Sequence, residues 1–428
     1  MFLSRVEAAT LPPPAPQRPA PRPAAARRAR LWPMLGPAFV AAIAYVDPGN
    51  VATNATAGAS FGYTLLWVVV AANVLAVLVQ TLTAKLGLAT GRDLATLCRL
   101  TLPKPLTRLL WAQAEVVAIA TDLAEIVGGA VALNLLFGIP LPIGGLLTAG
   151  VAFALLGLQR FGHRPFERAV TGCLLVIAAG FGYTMVDAGV DPAGVVAGLA
   201  PTPLTGDAAV LAVGILGATV MPHVVYVHSA LTPGRYGDAV TAGRTRAGRG
   251  RLLRAQRLDV LLAMVLAGLV NAVLLVVAAG LFAGQGEQSL ESVHAGLAEQ
   301  SGQGASIAFA LALLASGFAA SSVGTHAGQV VMAGFLQKHI PVLLRRTITV
   351  APAVGLLVWG ADPTTALVWS QVVLSFGIPF ALVPLVWLTA RRSVMGAWVN
   401  RATTTAAAVL VAVAVTALNA WLVVDVLT

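Results

Sequence analysis

The sequence predicts an all-α integral membrane protein built from two inverted repeats of five helices plus an eleventh helix, and three observations predict it. Hydrophobic residues make up 58% of the 428 residues and charged residues only 10%, far from the composition of a soluble domain. About eleven apolar stretches are long enough to cross ~30 Å of hydrocarbon. Two of them, the first and the sixth, are interrupted by polar segments, Asp47–Asn50 and Met221–His223.

The eleven predicted spans account for almost the whole chain after residue 30. They lie near 36–60, 62–88, 109–136, 141–158, 166–186, 208–232, 258–284, 304–336, 346–361, 364–390 and 402–424. Residues 1–30 are rich in Pro, Ala and Arg and lack an apolar core of signal-peptide length. We therefore expect a disordered cytoplasmic tail over 1–30 and a single eleven-helix domain over 31–428.

The distribution of charge predicts the orientation. With a cytoplasmic N-terminus, all 27 Lys and Arg residues fall in the tail, in alternate loops or at the inner ends of spans. The opposite loops carry Asp and Glu without any Lys or Arg. By the positive-inside rule the N-terminus is cytoplasmic, and an odd number of spans leaves the C-terminus extracytoplasmic. The cytoplasmic placement of Lys and Arg therefore accounts for the net charge of +10. No nucleic-acid partner is expected.

The arrangement of spans indicates an inverted repeat. Five spans precede the acidic loop near residues 187–207 and five follow it, so the second block must cross the membrane in the opposite sense. We place repeat one at about 36–187, repeat two at about 207–390 and the extra helix at about 402–426. In many secondary transporters broken helices meet near the midplane of such repeats. A proline kink in an ordinary helix is the alternative for either break alone.

The breaks carry side chains that suit a metal ion. Asp47 offers an anionic oxygen, Asn50 an amide oxygen and Met221 a polarisable thioether. The backbone carbonyls of Ala44 and Ala218, just ahead of each break, are further candidates. Oxygen ligands alone suit Mg²⁺ or Ca²⁺, whereas a thioether favours softer ions such as Mn²⁺, Fe²⁺ and Cd²⁺. The alternative for Met221 is that it fills a gap in an apolar helix.

Two histidines follow the second break. His223 is either a metal ligand or a group that relays protons, because imidazole does both. His228 lies on a different helical face, and we interpret it as a second polar group of the permeation or gating region.

The third span contains an unusual set of buried carboxylates. Asp122 and Glu125 share one helical face, with Thr121 beside them and Glu115 nearer the start of the span. Carboxylates in a membrane helix need protonation or cationic partners, which a proton pathway provides. A structural hydrogen-bond network competes for Glu115. The cationic residues Arg345 and Arg346 begin the ninth span, where they either complete such a path or anchor the helix.

Two glutamines lie in apolar surroundings. Gln371 in the tenth span is a possible metal ligand, and Gln80 in the second span is a possible gating or supporting residue. Interhelical hydrogen bonding is the ordinary role for either side chain.

Short motifs carrying these residues occur in a defined order along the chain. They are Asp47-Pro48-Gly49-Asn50, Gln80-Thr81-Leu82, Thr90-Gly91-Arg92-Asp93-Leu94, Ala120-Thr121-Asp122-Leu123-Ala124-Glu125, Met221-Pro222-His223, Ala327-Gly328-Gln329 and Ser370-Gln371-Val372. Together they resemble the signatures of the Nramp family of proton-coupled divalent metal transporters, over essentially everything after the tail. His326 and the stretch 317–322 depart from that family's eighth-helix pattern.

The resemblance implies a LeuT-type fold of five plus five inverted helices, with an eleventh appended. It implies import of Mn²⁺ or Fe²⁺, and also Cd²⁺, together with protons and without a permanent cofactor. The implied metal ligands are the side chains of Asp47, Asn50 and Met221, the carbonyls of Ala44 and Ala218, and Gln371 in particular conformations. The implied proton-handling residues are His223, Asp122, Glu125 and Arg346.

Two other functions remain open from the sequence. A sodium-coupled transporter of a small organic solute could share the fold, although Asp47 would repel a carboxylate substrate. A metal channel or sensor without coupling could share the site. The sequence contains no phosphate loop, HExxH motif or nucleophile–base pair, so no enzyme is expected. We expect a monomer in the plasma membrane.

Overall fold

The structure is a computed structural model that describes residues 36–157, 163–185, 188–242, 246–286, 288–337 and 341–427. The predicted tail, 1–30, lies outside these residues. The first half contains α1 (Pro37–Ala42), α2 (Pro48–Phe61), α3 (Leu66–Thr90), α4 (Leu94–Thr101), α5 (Lys104–Phe137), α6 (Leu141–Gly157), α7 (His163–Thr184) and α8 (Pro192–Ala197). The second contains α9 (Asp207–Thr219), α10 (Pro222–Ala242), α11 (Arg246–Phe282), α12 (Leu290–Gln300), α13 (Gln303–Leu336), α14 (Val342–Trp359), α15 (Pro363–Ala390), α16 (Arg392–Met395) and α17 (Ala402–Leu427).

Helices occupy every predicted span, but their lengths differ from the prediction. Among the described residues, eight helical runs are long and apolar enough to cross a membrane. One of them, Pro48–Thr90, joins α2 to α3 through a 3-10 turn. The predicted fourth and ninth spans are α6 and α14, which have 17 and 18 residues, a little short of the ~20 of a typical span. The exact number of crossings therefore stays a prediction.

Short helices also form in segments that the sequence left as loops. The motif 90–94 explains one of them: Gly91 ends α3 in the left-handed conformation, with φ of 66°, and Asp93 then begins α4. The Asp93 carboxylate accepts a hydrogen bond from the Thr96 backbone N–H at 2.8 Å, as an N-cap does. The Ser229 hydroxyl of α10 accepts from the Leu94 N–H at 3.0 Å, which fixes α4 against the second half.

Helix packing pairs the two halves in a reciprocal way. α2 packs on α11, and its counterpart α10 packs on α3. Likewise α5 packs on α15, and its counterpart α13 packs on α7. Helices α5 and α13 lie against each other in the middle, and α17 packs on α15 at the periphery with much of its surface exposed. This exchange of partners is what two related five-helix units require, and it brings both broken helices to the centre.

Candidate metal centre

The first break lies between α1 and α2. A 3-10 turn, Ile43–Val46, follows α1, and Asp47 is extended, with φ of −69° and ψ of 167°. Its carboxylate Oδ1 accepts from the Asn50 backbone N–H at 2.8 Å and from the Asn50 side-chain Nδ2 at 2.9 Å. Pro48 occupies the first helical position, where no N–H is needed. The same carboxylate therefore starts α2 and presents its second oxygen away from the helix.

The second break lies between α9 and α10. Val220 leaves the helical conformation, with φ of −113° and ψ of 62°, and Pro222 begins α10. Met221 lies at the break itself and is completely buried. The two breaks touch, because Asn50 Nδ2 donates to the carbonyl oxygen of Ala218 at 2.9 Å.

Helix α15 closes a third side. Gln371 Nε2 lies 3.5 Å from Asp47 Oδ2, at the outer limit of a hydrogen bond. Glycines make this approach possible, since a Cβ at Gly49 would collide with the Gln371 side chain and one at Gly217 with the Gln371 backbone carbonyl. Contacts thus bring four of the predicted ligand residues together: Asp47, Asn50, Ala218 and Gln371.

The remaining predicted ligands flank this group along the chain. Ala44 lies in the 3-10 turn ahead of Asp47 and is buried, and Met221 is at the second break. Two buried oxygens at the centre, Asn50 Oδ1 and Gln371 Oε1, have no hydrogen-bond partner within the described part of the chain. Buried polar atoms are rarely left unpaired, and a bound cation satisfies such oxygens. In the described residues no three His, Cys, Asp or Glu side chains form a metal-binding group, so a metal site here would combine the single Asp47 carboxylate with amide, carbonyl and thioether donors.

A chain of charged and polar groups leads away from the breaks along α5. His223 Nδ1 lies 3.2 Å from the Thr121 hydroxyl, and the neighbouring Asp122 forms an ion pair with Arg346 at 2.5 Å. Arg346 also donates to the Ser321 hydroxyl of α13. One turn beyond Asp122, Glu125 is completely buried.

The second arginine forms a separate ion pair. Arg345 lies 3.1 Å from Glu115 and is more exposed than the Arg346 pair. The predicted proton-handling residues are therefore near one another, with the carboxylates on α5 and the arginines on α14.

Glycines on α13 make room for these charges. A Cβ at Gly324 would lie 2.8 Å from a Glu125 carboxylate oxygen, and one at Gly328 would overlap the Arg345 guanidinium. A larger residue at either position would displace a charged side chain, which explains glycine at these two points of α13.

Of the four predicted gating or supporting residues, Thr121 and Glu115 belong to the contacts along α5 described above, and Gln80 and His228 form a third group next to the first break. Gln80 Nε2 donates to the hydroxyl of Tyr45, and Gln80 Oε1 lies 2.5 Å from His228 Nδ1. All three side chains are buried. Tyr45 is not among the residues predicted from the sequence, although its position two residues before Asp47 in an apolar span is a usable signal.

Helix α11 contributes two further residues that were not predicted from the sequence, Asn271 and Asp259. Asn271 Nδ2 donates to the Tyr45 carbonyl at 2.8 Å, and Asn271 Oδ1 lies 3.5 Å from Asn54 Nδ2 on α2. Asp259 accepts from the backbone N–H groups of Gly36 and Ala38, each at 3.0 Å. Helix α11 thus anchors the start of α1 through Asp259 and the 3-10 turn after α1 through Asn271.

Comparison with known proteins relates the whole arrangement to a single family. The model of the Nramp family, described as natural resistance-associated macrophage protein-like, matches residues 38–425. The divalent metal cation transporter MntH of Mycobacterium tuberculosis is 51% identical over 394 residues, covering 92% of this chain and 91% of that protein. MntH of Bacillus subtilis is 46% identical over 398 residues, covering 92% of each.

Solved structures agree with the sequence relatives. A crystal structure of the Eremococcus coleocola manganese transporter superposes with a TM-score of 0.82 at 31% identity, covering 97% of this chain and 89% of the other. The nucleobase-cation symporter Mhp1 superposes with a TM-score of 0.51 at 18% identity over 83% of this chain and 78% of the other, a likeness of fold alone. The predicted LeuT-type membrane fold is confirmed, and the chain belongs to the Nramp family.

Proposed function

We propose that this protein is a divalent metal cation transporter that imports Mn²⁺ or Fe²⁺, and also accepts Cd²⁺, together with protons. The main support is that the two helix breaks contact each other through Asp47, Asn50 and the Ala218 carbonyl. Gln371 lies beside them. The names of the relatives, divalent metal cation transporter and manganese transporter, support the same substrate class.

The donor set favours a transition metal over the more abundant Mg²⁺ and Ca²⁺. Asp47 supplies the one negative charge, and neutral oxygens come from Asn50, Gln371 and the Ala218 and Ala44 carbonyls. Mg²⁺ and Ca²⁺ both prefer oxygen ligands alone, and Mg²⁺ also dehydrates reluctantly, whereas Mn²⁺, Fe²⁺ and Cd²⁺ tolerate the Met221 thioether. The transported ion is the substrate, and no permanent cofactor is proposed.

The polar groups beside the site suit proton transfer. His223 lies at the start of α10, and its contact with Thr121 places it next to the Asp122–Arg346 ion pair. A proton accepted by His223 and passed to Asp122 would neutralise that carboxylate and weaken the ion pair. Glu125 and Glu115 are the further carboxylates on α5 that can accept the proton, while the arginines stay protonated. We propose this route for the coupled proton, separate from the metal's own path.

The surroundings of the site support alternating access. On the α1 side, the site is covered by the Tyr45–Gln80–His228 group and by α1 itself, held by Asp259. On the α2 side lies a cavity of about 270 Å³ with a polar lining that includes Thr56, Gln288 and Asp362. Under the predicted orientation, with the N-terminus cytoplasmic and the C-terminus extracytoplasmic in the plasma membrane, this cavity faces outward.

Uptake of Mn²⁺ into proteoliposomes with simultaneous recording of internal pH tests the proposal. We expect native protein to accumulate Mn²⁺ along an imposed inward proton gradient and to acidify the lumen, and Asp47→Ala to do neither. Passive equilibration of Mn²⁺ without acidification would instead indicate an uncoupled channel. Uptake of labelled amino acids but not metal would identify an organic-solute transporter on the same fold.

A further inference from the structure

A long apolar groove runs between α15 and α17, away from the metal centre. Its volume is about 570 Å³, and small or branched side chains line it, among them Val383, Val386, Val409, Ala412 and Ala417. On α17 the lining extends from Thr405 to Ala420, about 22 Å at 1.5 Å per residue. That length exceeds the ~15 Å depth of one leaflet of hydrocarbon.

Hydrogen bonds hold the two helices together at both ends of the groove. At one end Ser375 and Asn419 bond reciprocally, at 2.9 and 3.0 Å. At the other end Asn400 donates from its backbone to the Thr389 carbonyl at 3.1 Å and from its side chain to the Thr389 hydroxyl at 3.0 Å. These hydrogen bonds fix the spacing between α15 and the α17 segment at both ends of the groove.

Arginines cluster at the Thr389–Asn400 end. The Arg391 guanidinium lies 3.7 Å from the ring centroid of Trp387, a residue that also lines the groove. Arg392 and Arg401 are exposed in the same short linker, which contains no Asp or Glu. One end of an apolar groove thus carries three positive charges at the depth where helices leave the membrane.

We propose that this groove binds an anionic phospholipid, with one acyl chain between α15 and α17 and the phosphate at Arg391 and Arg401. The apolar lining suits a hydrocarbon chain, which is the medium that surrounds α17 in a bilayer. Juxtamembrane arginines attract anionic headgroups, and a guanidinium binds phosphate oxygens in a bidentate manner. Stacking on Trp387 orients the Arg391 guanidinium before the lipid binds.

Native mass spectrometry of the purified full chain tests the proposal. Delipidated protein is mixed with phosphatidylglycerol or phosphatidylcholine that carry the same palmitoyl and oleoyl chains. We expect one phosphatidylglycerol to bind preferentially, and Arg391→Gln and Arg401→Gln each to reduce that preference roughly fivefold. Equal binding of the two lipids by native protein would overturn the proposal.

Two α17 variants distinguish lipid binding in the groove from lipid binding elsewhere on the helix surface. Ala417→Phe places a ring in the groove, and we expect it to lower binding of both lipids. Ala414→Phe is the matched control, because Ala414 is exposed on α17 but does not line the groove. Equal losses in the two variants would contradict the groove as the site. A dimer that Ala417→Phe abolishes, with no lipid adduct, would show that a second copy occupies it.

Discussion

The two broken helices meet at one point but are fastened differently. At the first break Asp47 caps α2, Asn271 holds the Tyr45 carbonyl, and the Ser316 hydroxyl donates to the Val46 carbonyl at 2.6 Å. At the second break Pro222 begins α10, and Met221, the residue before it, is buried among apolar residues. The first break is thus rich in hydrogen bonds and charge, whereas the second, apart from the contacts of Asn50 with Ala218 and of Thr121 with His223, is held by packing.

The difference suggests that the two breaks have different roles in one site, the first in attracting the ion and the second in selecting among metals. In the proposed function the charged break attracts the divalent ion, and hydrogen bonds anchor this break to α11 and α13. The apolar break provides a carbonyl and a thioether, ligands that attract any cation weakly but distinguish among metals. We therefore expect changes at the first break to affect whether metal binds, and changes at the second to affect which metal binds.

The largest effect is expected from Asp47→Asn. Asparagine caps helices about as well as aspartate, so α2 should still begin at Pro48 and the protein should remain folded. The negative charge disappears, and we expect Mn²⁺ affinity, measured by isothermal titration calorimetry, to fall by roughly 100-fold or more. Thermal stability within about 2 °C of native protein would confirm that the cap survives. Native Mn²⁺ affinity in Asp47→Asn would contradict the role of this carboxylate.

An intermediate effect is expected from Asp259→Asn. The carboxylate accepts two backbone hydrogen bonds from the start of α1, and an amide offers only one acceptor oxygen. Loss of a cap costs about 1 kcal/mol, so openings of α1 should become about fivefold more frequent. Modification of a cysteine introduced by Val40→Cys, with Cys98 and Cys173 replaced by serine, reports the opening.

The control for this experiment is another capping aspartate. Asp191 accepts from the N–H groups of Ala193 and Gly194 at the start of α8, far along the chain from α1. Asp191→Asn should leave the reactivity of the Val40→Cys thiol unchanged. If both aspartate variants raise reactivity equally, the effect is general destabilisation and Asp259 has no specific hold on α1.

The smallest effect on Mn²⁺ itself is expected from Met221→Ala. Removing one neutral ligand should leave Mn²⁺ uptake within about threefold of native, while uptake of Ca²⁺ or Mg²⁺ rises. Competition of ⁵⁴Mn uptake by these ions in proteoliposomes measures the change. Met221→Leu, which preserves volume without sulfur, controls for packing. Unchanged selectivity in both variants would mean that Met221 only fills space.

The sequence predicted the breaks closely because each combines a proline with polar residues inside an apolar run. Asp47 and Asn50 followed from that pattern alone, and the structure places them in contact. The pairing of Asp122 with Arg346 was also open to prediction, because a buried carboxylate in a membrane needs a cation and few are available.

Contacts between distant segments were beyond such reasoning. Gln80 and His228 were each recognised as polar groups in apolar helices, but nothing local indicates that they meet each other and Tyr45. Asp259 lies near a cluster of arginines at the start of a span, so it resembled an ordinary interfacial residue. Its role as a cap for α1 depends on the packing of α1 on α11, which only the fold determines.

The contacts of Asn271 bear on how α1 can move. Its side chain donates to the Tyr45 carbonyl just before the first break and lies beside Asn54 just after it, so α11 is attached to the chain on both sides of the break. Asp259, about 18 Å away on the same helix at 1.5 Å per residue, holds the far end of α1. If α1 moves away from α11, we expect its hydrogen bonds to Asp259 to break while the Asn271–Tyr45 hydrogen bond remains. The candidate metal site lies next to that remaining hydrogen bond, where the displacement of the backbone would be smallest.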